Sequence, residues 1–187
     1  MKALSYAFLL SVLPGLSAAG SIEDNMKTFA DTEVRSKLFD PMIIAAIKGA
    51  NLENAAITPE EILALDSQWK QDVGTKSALI SGVTDSAAST VLRDYVAASE
   101  GKITEVILMD AKGLNVAVSD VTSDYWQGDE DKHQQTFGLG PDAIHVSEIE
   151  FDESTQTYQA QVSFTITDPA TGLGIGAATI GLNAASF

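Results

Sequence analysis

The chain has 187 residues, 45% hydrophobic and 20% charged, which excludes intrinsic disorder and fibrous repeats and fits one globular domain. Eleven Lys and Arg stand against 26 Asp and Glu, a formal charge of −15, so nucleic acid and anionic membrane surfaces would be repelled rather than bound. The lack of cysteine removes disulfides, thiol catalysis, thiolate zinc sites and iron–sulfur clusters together.

Lys2, the apolar run Ala3 to Leu13, the Pro14-Gly15 break and the small residues Ser17-Ala18-Ala19 follow the order of a secretory signal peptide, with cleavage expected near Ala19. A membrane anchor needs about 20 apolar residues, and this run is shorter and interrupted. Cleavage would leave ten basic residues against 26 acidic ones, a net charge of −16. The longest apolar run beyond the leader, Pro41 to Ile47, is too short to span a bilayer. The expectation is an exported protein of the bacterial periplasm, large enough to bury a core without disulfides.

The remaining chain reads as a helical half, 22–99, and a strand half, 102–183. Asp40-Pro41 combines a capping residue with a proline suited to the first helical position, so a helix over 22–39 should end or kink there and another should run over 41–49. Thr58-Pro59-Glu60-Glu61 is a capping box. Ile62, Leu65 and Trp69 give the helix behind it one apolar face, which makes Trp69 a core residue. Leu79, Val83, Ala87, Val91 and Tyr95 recur four apart and predict a single helix over 77–98, ending at Glu100-Gly101.

From Ile103 the period changes. Ile103 to Met109 is nearly all apolar, Asp110-Ala111-Lys112-Gly113 is a turn, and Leu114, Val116 and Val118 alternate with other residues, a hairpin signal. Ile144 and Val146 fall on one face of a strand and Ile149 and Phe151 on the other, which predicts a bulge. Tyr158, Ala160, Val162, Phe164 and Ile166 alternate with polar residues. Asp168-Pro169-Ala170-Thr171-Gly172 is the turn into a last strand at about 174–183. Five antiparallel strands in hairpin order after helices make an α+β domain. The division is therefore a signal peptide (1–19), an N-terminal helical part (20–101) and a sheet part (102–187) with an insertion at 120–142. That insertion has no clear period, and a connection so long is usually functional or carries its own short helix.

The insertion also holds the most suggestive chemistry. Asp124, Tyr125, Trp126, Asp129, Glu130, Asp131 and Lys132 put two aromatics beside four acids and one lysine, a set able to receive an amine or cationic group. Asp124 and Lys132, flanking the aromatics, are the first candidates for polar ligand contacts. The competing reading makes Trp126 a core plug and leaves the acids solvated or capping a short helix. Ten of the 26 acids lie between Asp120 and Glu153 against one base, Lys132, so the field there favours cations. Asp129, Glu130 and Asp131 are hard oxygen donors, yet their spacing is not that of a calcium-binding EF-hand loop. His133 and His145 alone do not make a zinc site, and no metal or other cofactor is assigned. Gly172, Gly174, Gly176 and Gly181 open no helix that could hold a phosphate, and serve a turn and close packing instead. Without a nucleophile elbow, and with two histidines as the choice of base, no catalytic residue is assigned either.

The segments Ile103 to Ser119, Asp124 to Lys132 and Ile175 to Asn183 resemble the opening hairpin, the insertion and the final strand of extracytoplasmic PAS-like sensor domains, the Cache or PDC family. The resemblance covers about 22–183. It implies N-terminal helices packed on a five-stranded PAS/Cache-like sheet, with a small-molecule pocket on one sheet face walled by the insertion and helices. It also implies an acidic residue at the pocket rim near Asp168, although Asp-Pro is itself a turn starter. In membrane receptors of the family the last strand leads into a transmembrane helix and a kinase or chemotaxis module, whereas this sequence stops at Phe187. The expectation is thus a free-standing periplasmic domain that binds a small polar or cationic ligand through Asp124, Tyr125, Trp126, Asp129, Glu130, Lys132 and Asp168. It would relay that ligand to a membrane histidine kinase, chemoreceptor or transporter. The Tyr-x-Arg motif of the amino-acid-binding subgroup is missing, Arg35 and Arg93 being the only arginines. The alternative is a ligand-free interaction module docking on a sensor ectodomain.

Overall fold

Ser21, Asp40, Thr58, Ser77 and Ser86 each accept a backbone N–H from the first turn that follows, and each starts a helix. A computed structural model describes residues 21–152 and 156–187, so the leader expected at 1–19 lies outside the described residues. Helix α1 (Ile22–Phe29) continues through a π turn (Ala30–Val34) and a 3-10 turn (Lys37–Phe39). Asp40 then ends the run as expected, its Oδ1 accepting the Met42 N–H at 2.7 Å, and α2 spans Pro41–Glu53. The capping box at Thr58 is complete, Thr58 Oγ1 accepting from Glu61 and the Glu61 carboxylate accepting from Thr58, and starts α3 (Pro59–Asp72).

The single helix expected over 77–98 is two helices, α4 (Ala78–Thr84) and α5 (Ala87–Ala98). Ser86 is in extended backbone and its Oγ accepts the Ser89 N–H at 3.0 Å. The four-residue periodicity passes through this break in phase, from Val83 to Ala87, and so conceals it. Buried Ser89 secures the corner by donating to the Val83 carbonyl at 2.7 Å and accepting the Val118 N–H at 2.9 Å.

The sheet has strands β1 (Ile103–Asp110), β2 (Asn115–Val118), β3 (Ile144–Val146), β4 (Glu150–Asp152), β5 (Thr157–Thr167) and β6 (Gly174–Asn183). Its order is β2-β1-β6-β5-β3, with β4 also paired to β5, and every pairing is antiparallel. Two sequence expectations are corrected. The last strand is central rather than at the end of a meander, lying between β1 and β5. The one bulged strand expected to carry Ile144, Val146, Ile149 and Phe151 is divided, giving six strands instead of five. Its phase change is resolved by a break: Ser147 donates its N–H to the Gln161 carbonyl and its Oγ accepts the Gln161 N–H, both at 2.9 Å. The α+β class, with N-terminal helices on an antiparallel sheet, is as read.

The strand period of two sorts the sheet into two faces. Val106, Leu108, Val162, Phe164, Ile180 and Leu182 pack against Met26, Ile43, Ile47 and Leu92 of the helices in the main core. Complete burial of each large side chain contributes about 1.5–3 kcal/mol. The opposite face carries Ile107 and Met109, which join Trp69, Ile80 and Val83 in a second core. It also carries Ser163 and Thr179, fully buried and paired through their hydroxyls at 2.9 Å. This second face lies under the insertion. Among the described residues no helix is long and apolar enough to cross a membrane.

Candidate functional site

The insertion is held down by residues of α3 and of the β1–β2 hairpin. Asp66 Oδ1 accepts the amides of Tyr125 and Trp126 at 3.0 and 3.1 Å, while its Oδ2 pairs with Lys70 at 2.6 Å. Burial pushes the Asp66 carboxyl up, but Lys70 and those two amides outweigh it and hold the group below the ordinary 3.8. Trp69, one turn further on, donates its indole N–H to the Thr122 carbonyl at 2.8 Å and stacks on Tyr125. On the hairpin side, Gln127 donates its backbone N–H to the Gly113 carbonyl at 2.7 Å and Trp126 donates its indole N–H to the Lys112 carbonyl at 2.8 Å. Gly113 sits at φ +81°, and the Gly128 backbone occupies the space a Cβ would need.

The rest of the insertion contains one short helix, α6 (Asp131–Gln134), whose His133 is buried with Nε2 3.2 Å from the Asp110 carbonyl oxygen. Burial pushes the His133 pKa below the ordinary 6.5 despite the opposing pull of Asp110, so the ring is neutral at pH 7. Phe137 lies against it at 5.3 Å between ring centroids. Among the described residues no three His, Asp or Glu side chains converge on a point where a metal ion could sit.

Beside α6, whose Lys132 reaches it, a cleft of about 430 Å³ opens between the insertion and the sheet. Its floor is Glu105 of β1 with Gln159 and Gln161 of β5, and its walls include Asp124, Gln127, Lys132 and Asp152. Gln161 donates to Glu105 Oε1 at 2.9 Å, and Gln159 donates to Asp152 Oδ2 at 3.0 Å. On the insertion side Gln127 donates to Asp124 Oδ1 at 2.7 Å and accepts from Lys132 at 3.0 Å. Lys132 also pairs with Glu130 at 3.0 Å. Burial pushes the Glu105 carboxyl above its ordinary 4.5; Gln161 and the Lys132 charge counter this, while Asp152 and Asp120 reinforce it. Gly181 faces Glu105 across the β1–β6 ladder, and a Cβ there would meet Glu105 Cγ at 2.7 Å, so the glycine leaves room for that side chain.

Of the residues read from the sequence, the fold brings Asp124 and Lys132 together in this cleft. Asp129 and Glu130 line an adjoining cleft of about 650 Å³ that shares Lys132 and includes His145. Tyr125 lines a separate cleft against α2, α4 and α5, and Trp126 forms a lone β-bridge with Leu114. Asp168 is at the β5–β6 turn, where its Oδ2 pairs with Lys48 of α2 at 2.8 Å and its Oδ1 accepts the Ala170 N–H at 3.0 Å. The Lys48 hydrogen bond, then that of Ala170, holds the Asp168 carboxyl below its ordinary 3.8.

Sequence reasoning missed Glu105, Gln159 and Gln161. Glu105 was legible as the one acid inside the apolar run of β1. The glutamines carry no comparable signal, because alternating polar residues on a strand read as a solvent face.

No protein-family model matches the chain, and no curated protein matches it. Among solved structures it is similar to the sensory domain of the Campylobacter jejuni chemoreceptor Tlp3 with isoleucine bound, at 13% identity and a TM-score of 0.40, covering 88% of this chain and 64% of that one. It is also similar to the sensor domain of Escherichia coli DcuS, at 14% identity and a TM-score of 0.44, covering 88% of this chain and 93% of that one. The sensor domain of the Vibrio cholerae histidine kinase DctB aligns at 12% identity and a TM-score of 0.39, over 80% of this chain and 54% of that one. The chain thus spans less than two thirds of the length of the Tlp3 and DctB domains. These structural neighbours are sensor domains of a chemoreceptor, a histidine kinase and DcuS.

Proposed function

We propose that the chain is an extracytoplasmic PAS-like sensor or solute-binding domain that takes a small polar ligand with a cationic group into the cleft beneath the insertion. Its bound state is relayed to a membrane histidine kinase, chemoreceptor or transporter. The observation that carries this reading is Glu105, a half-buried carboxyl on the sheet floor beneath a lid built by Asp124, Gln127 and Lys132. The cleft lining contains three carboxyl groups, Glu105, Asp124 and Asp152, against the single ammonium of Lys132, which Glu130 and Gln127 already engage. A cationic ligand supplies the missing counter-charge and favours ionised Glu105, in a site where water competes less than at the surface.

The remaining predicted residues support the site indirectly in this proposal. Tyr125 and Trp126 fix the insertion through their backbone amides on Asp66, and Asp129 and Glu130 strengthen the negative potential beside the entrance. Asp168 holds the turn before β6.

The test is a thermal-shift screen of the mature protein with amines, organic acids and amino acids. A ligand at about 100 times its Kd adds about 2.7 kcal/mol, which for a domain of this size raises Tm by about 5–10 °C. Amines are expected to stabilise the protein and Glu105→Gln to reduce the effect. A panel in which nothing stabilises, or in which organic acids do so in place of amines, contradicts the proposal.

A further inference from the structure

A cleft of about 570 Å³ lies on the other side of Tyr125, between α2, α4 and α5 and above the start of β2. Asn115 lines it, is 3% exposed, and carries the one buried side-chain polar atom among the described residues without a hydrogen-bond partner, Oδ1. The orientation of the amide is fixed by chemistry. Its nitrogen donates to the Asp124 carbonyl at 2.9 Å, an atom that can only accept, and to Thr122 Oγ1 at 2.8 Å, whose own hydroxyl donates to that carbonyl at 2.6 Å. The oxygen is therefore turned from the insertion and left without a donor. An unsatisfied buried acceptor costs about 1–3 kcal/mol.

Two glycines point to the same space. Gly49 is inside α2 and Gly82 inside α4, positions where glycine costs about 1 kcal/mol relative to alanine. Neither is required by packing, since a Cβ at either would meet nothing within 4 Å, and both line this cleft. Their missing side chains leave it open. The Tyr125 hydroxyl makes no hydrogen bond among the described residues, and exposed Glu53 stands at the rim. Burial, then the charges of Asp110 and Glu53, push the Tyr125 phenol up to about 12, so it enters the cleft as a neutral hydroxyl.

We propose that this cleft is a second binding site, for a small aliphatic ligand bearing a primary ammonium group. The ammonium donates to Asn115 Oδ1 and to the Tyr125 hydroxyl, Glu53 supplies the counter-charge, and the alkyl chain lies along the wall opened by Gly49 and Gly82. Asn115 Oδ1 is buried beneath the cleft, so the donor reaches it when side chains of the cleft floor move aside. This site shares no lining residue with the cleft of Glu105 and stands independently of the function proposed there.

The experiment is an NMR titration of the protein with n-butylammonium chloride, with n-butanol and sodium butyrate as controls. Saturable shifts are expected for the Asn115 side-chain amide and the Gly49 and Gly82 backbone amides with butylammonium, weaker ones with butanol and none with butyrate. Gly82→Leu fills the cleft and is expected to weaken binding by about tenfold or more, while its Tm stays at or above that of the wild type because a helical glycine has been removed. Glu105→Gln is expected to leave these shifts in place. Butanol binding as tightly as butylammonium, shifts confined to residues around Glu105, or binding unchanged in Gly82→Leu would each overturn the proposal.

Discussion

Trp69 of α3 and Tyr125 of the insertion stack with their ring centroids 5.4 Å apart and their planes 22° apart. This pair joins the helical half to the segment that covers the sheet, and the Asp66 carboxylate one turn earlier ties down the same stretch of backbone through two amides. The lid of the proposed ligand cleft is thus fixed from α3, and its stability depends on groups outside the cleft.

Asp66→Ala leaves the Tyr125 and Trp126 amides without an acceptor and is expected to cost about 2–3 kcal/mol in urea denaturation. Hydrogen exchange at those two amides should accelerate more than exchange in β5 or β6. The wild-type contribution has a defined pH sense. Because the folded pKa of Asp66 is lowered, its contribution is complete above 3.8 and is lost as pH falls through the folded value. Below that window the wild type and Asp66→Ala should converge in stability.

His133 and Glu105 give stability opposite slopes. The buried imidazole has a lowered pKa, so its contribution is present above 6.5 and declines as pH falls below that value. Glu105 has a raised pKa, so its contribution is complete below 4.5 and is lost as pH rises through the folded value. Urea midpoints measured from pH 4 to pH 8 should lose the acid-side decline in His133→Gln. In Glu105→Gln they should lose the decline on raising pH and be higher than wild type at pH 7.

Ser86→Ala distinguishes two helices from one by its sign. In a continuous helix alanine would be the better residue and would stabilise slightly. At an N-cap the loss of the Ser89 hydrogen bond costs about 1 kcal/mol. Destabilisation is expected, measured as the change in urea midpoint.

Local chemistry in the sequence located most elements: Asp40-Pro41, the Thr58 capping box, the β1–β2 hairpin and the final strand all lie where side-chain pattern and turn residues place them. The split between α4 and α5 was hidden because Val83 and Ala87 keep helical phase across it, while the Ser86 cap alone marks it. The central position of β6 depends on pairing between β1 and a strand more than sixty residues later, which no local pattern encodes. For the site, Asp124 and Lys132 were legible as charges beside aromatics. Tyr125 looked like a companion to them, yet the backbone bends at this residue and it lines another cleft. Gln161 and Ser163 looked like a solvent face because sequence alternation cannot report that a remote insertion covers it.

The most direct test of the central claim is calorimetric titration of an amine that stabilises the protein, performed at pH values stepped upward from 4.5 in two buffers of different ionisation enthalpy, on Gly82→Leu, which closes the second cleft, and on the same protein carrying Glu105→Gln. If a cationic ligand sits on Glu105, binding releases a fraction of a proton as the raised carboxyl pKa is drawn down, affinity increases with pH through that window, and Glu105→Gln loses both the proton release and most of the affinity. Amine binding with no proton release, or with equal affinity in Glu105→Gln, would contradict the account.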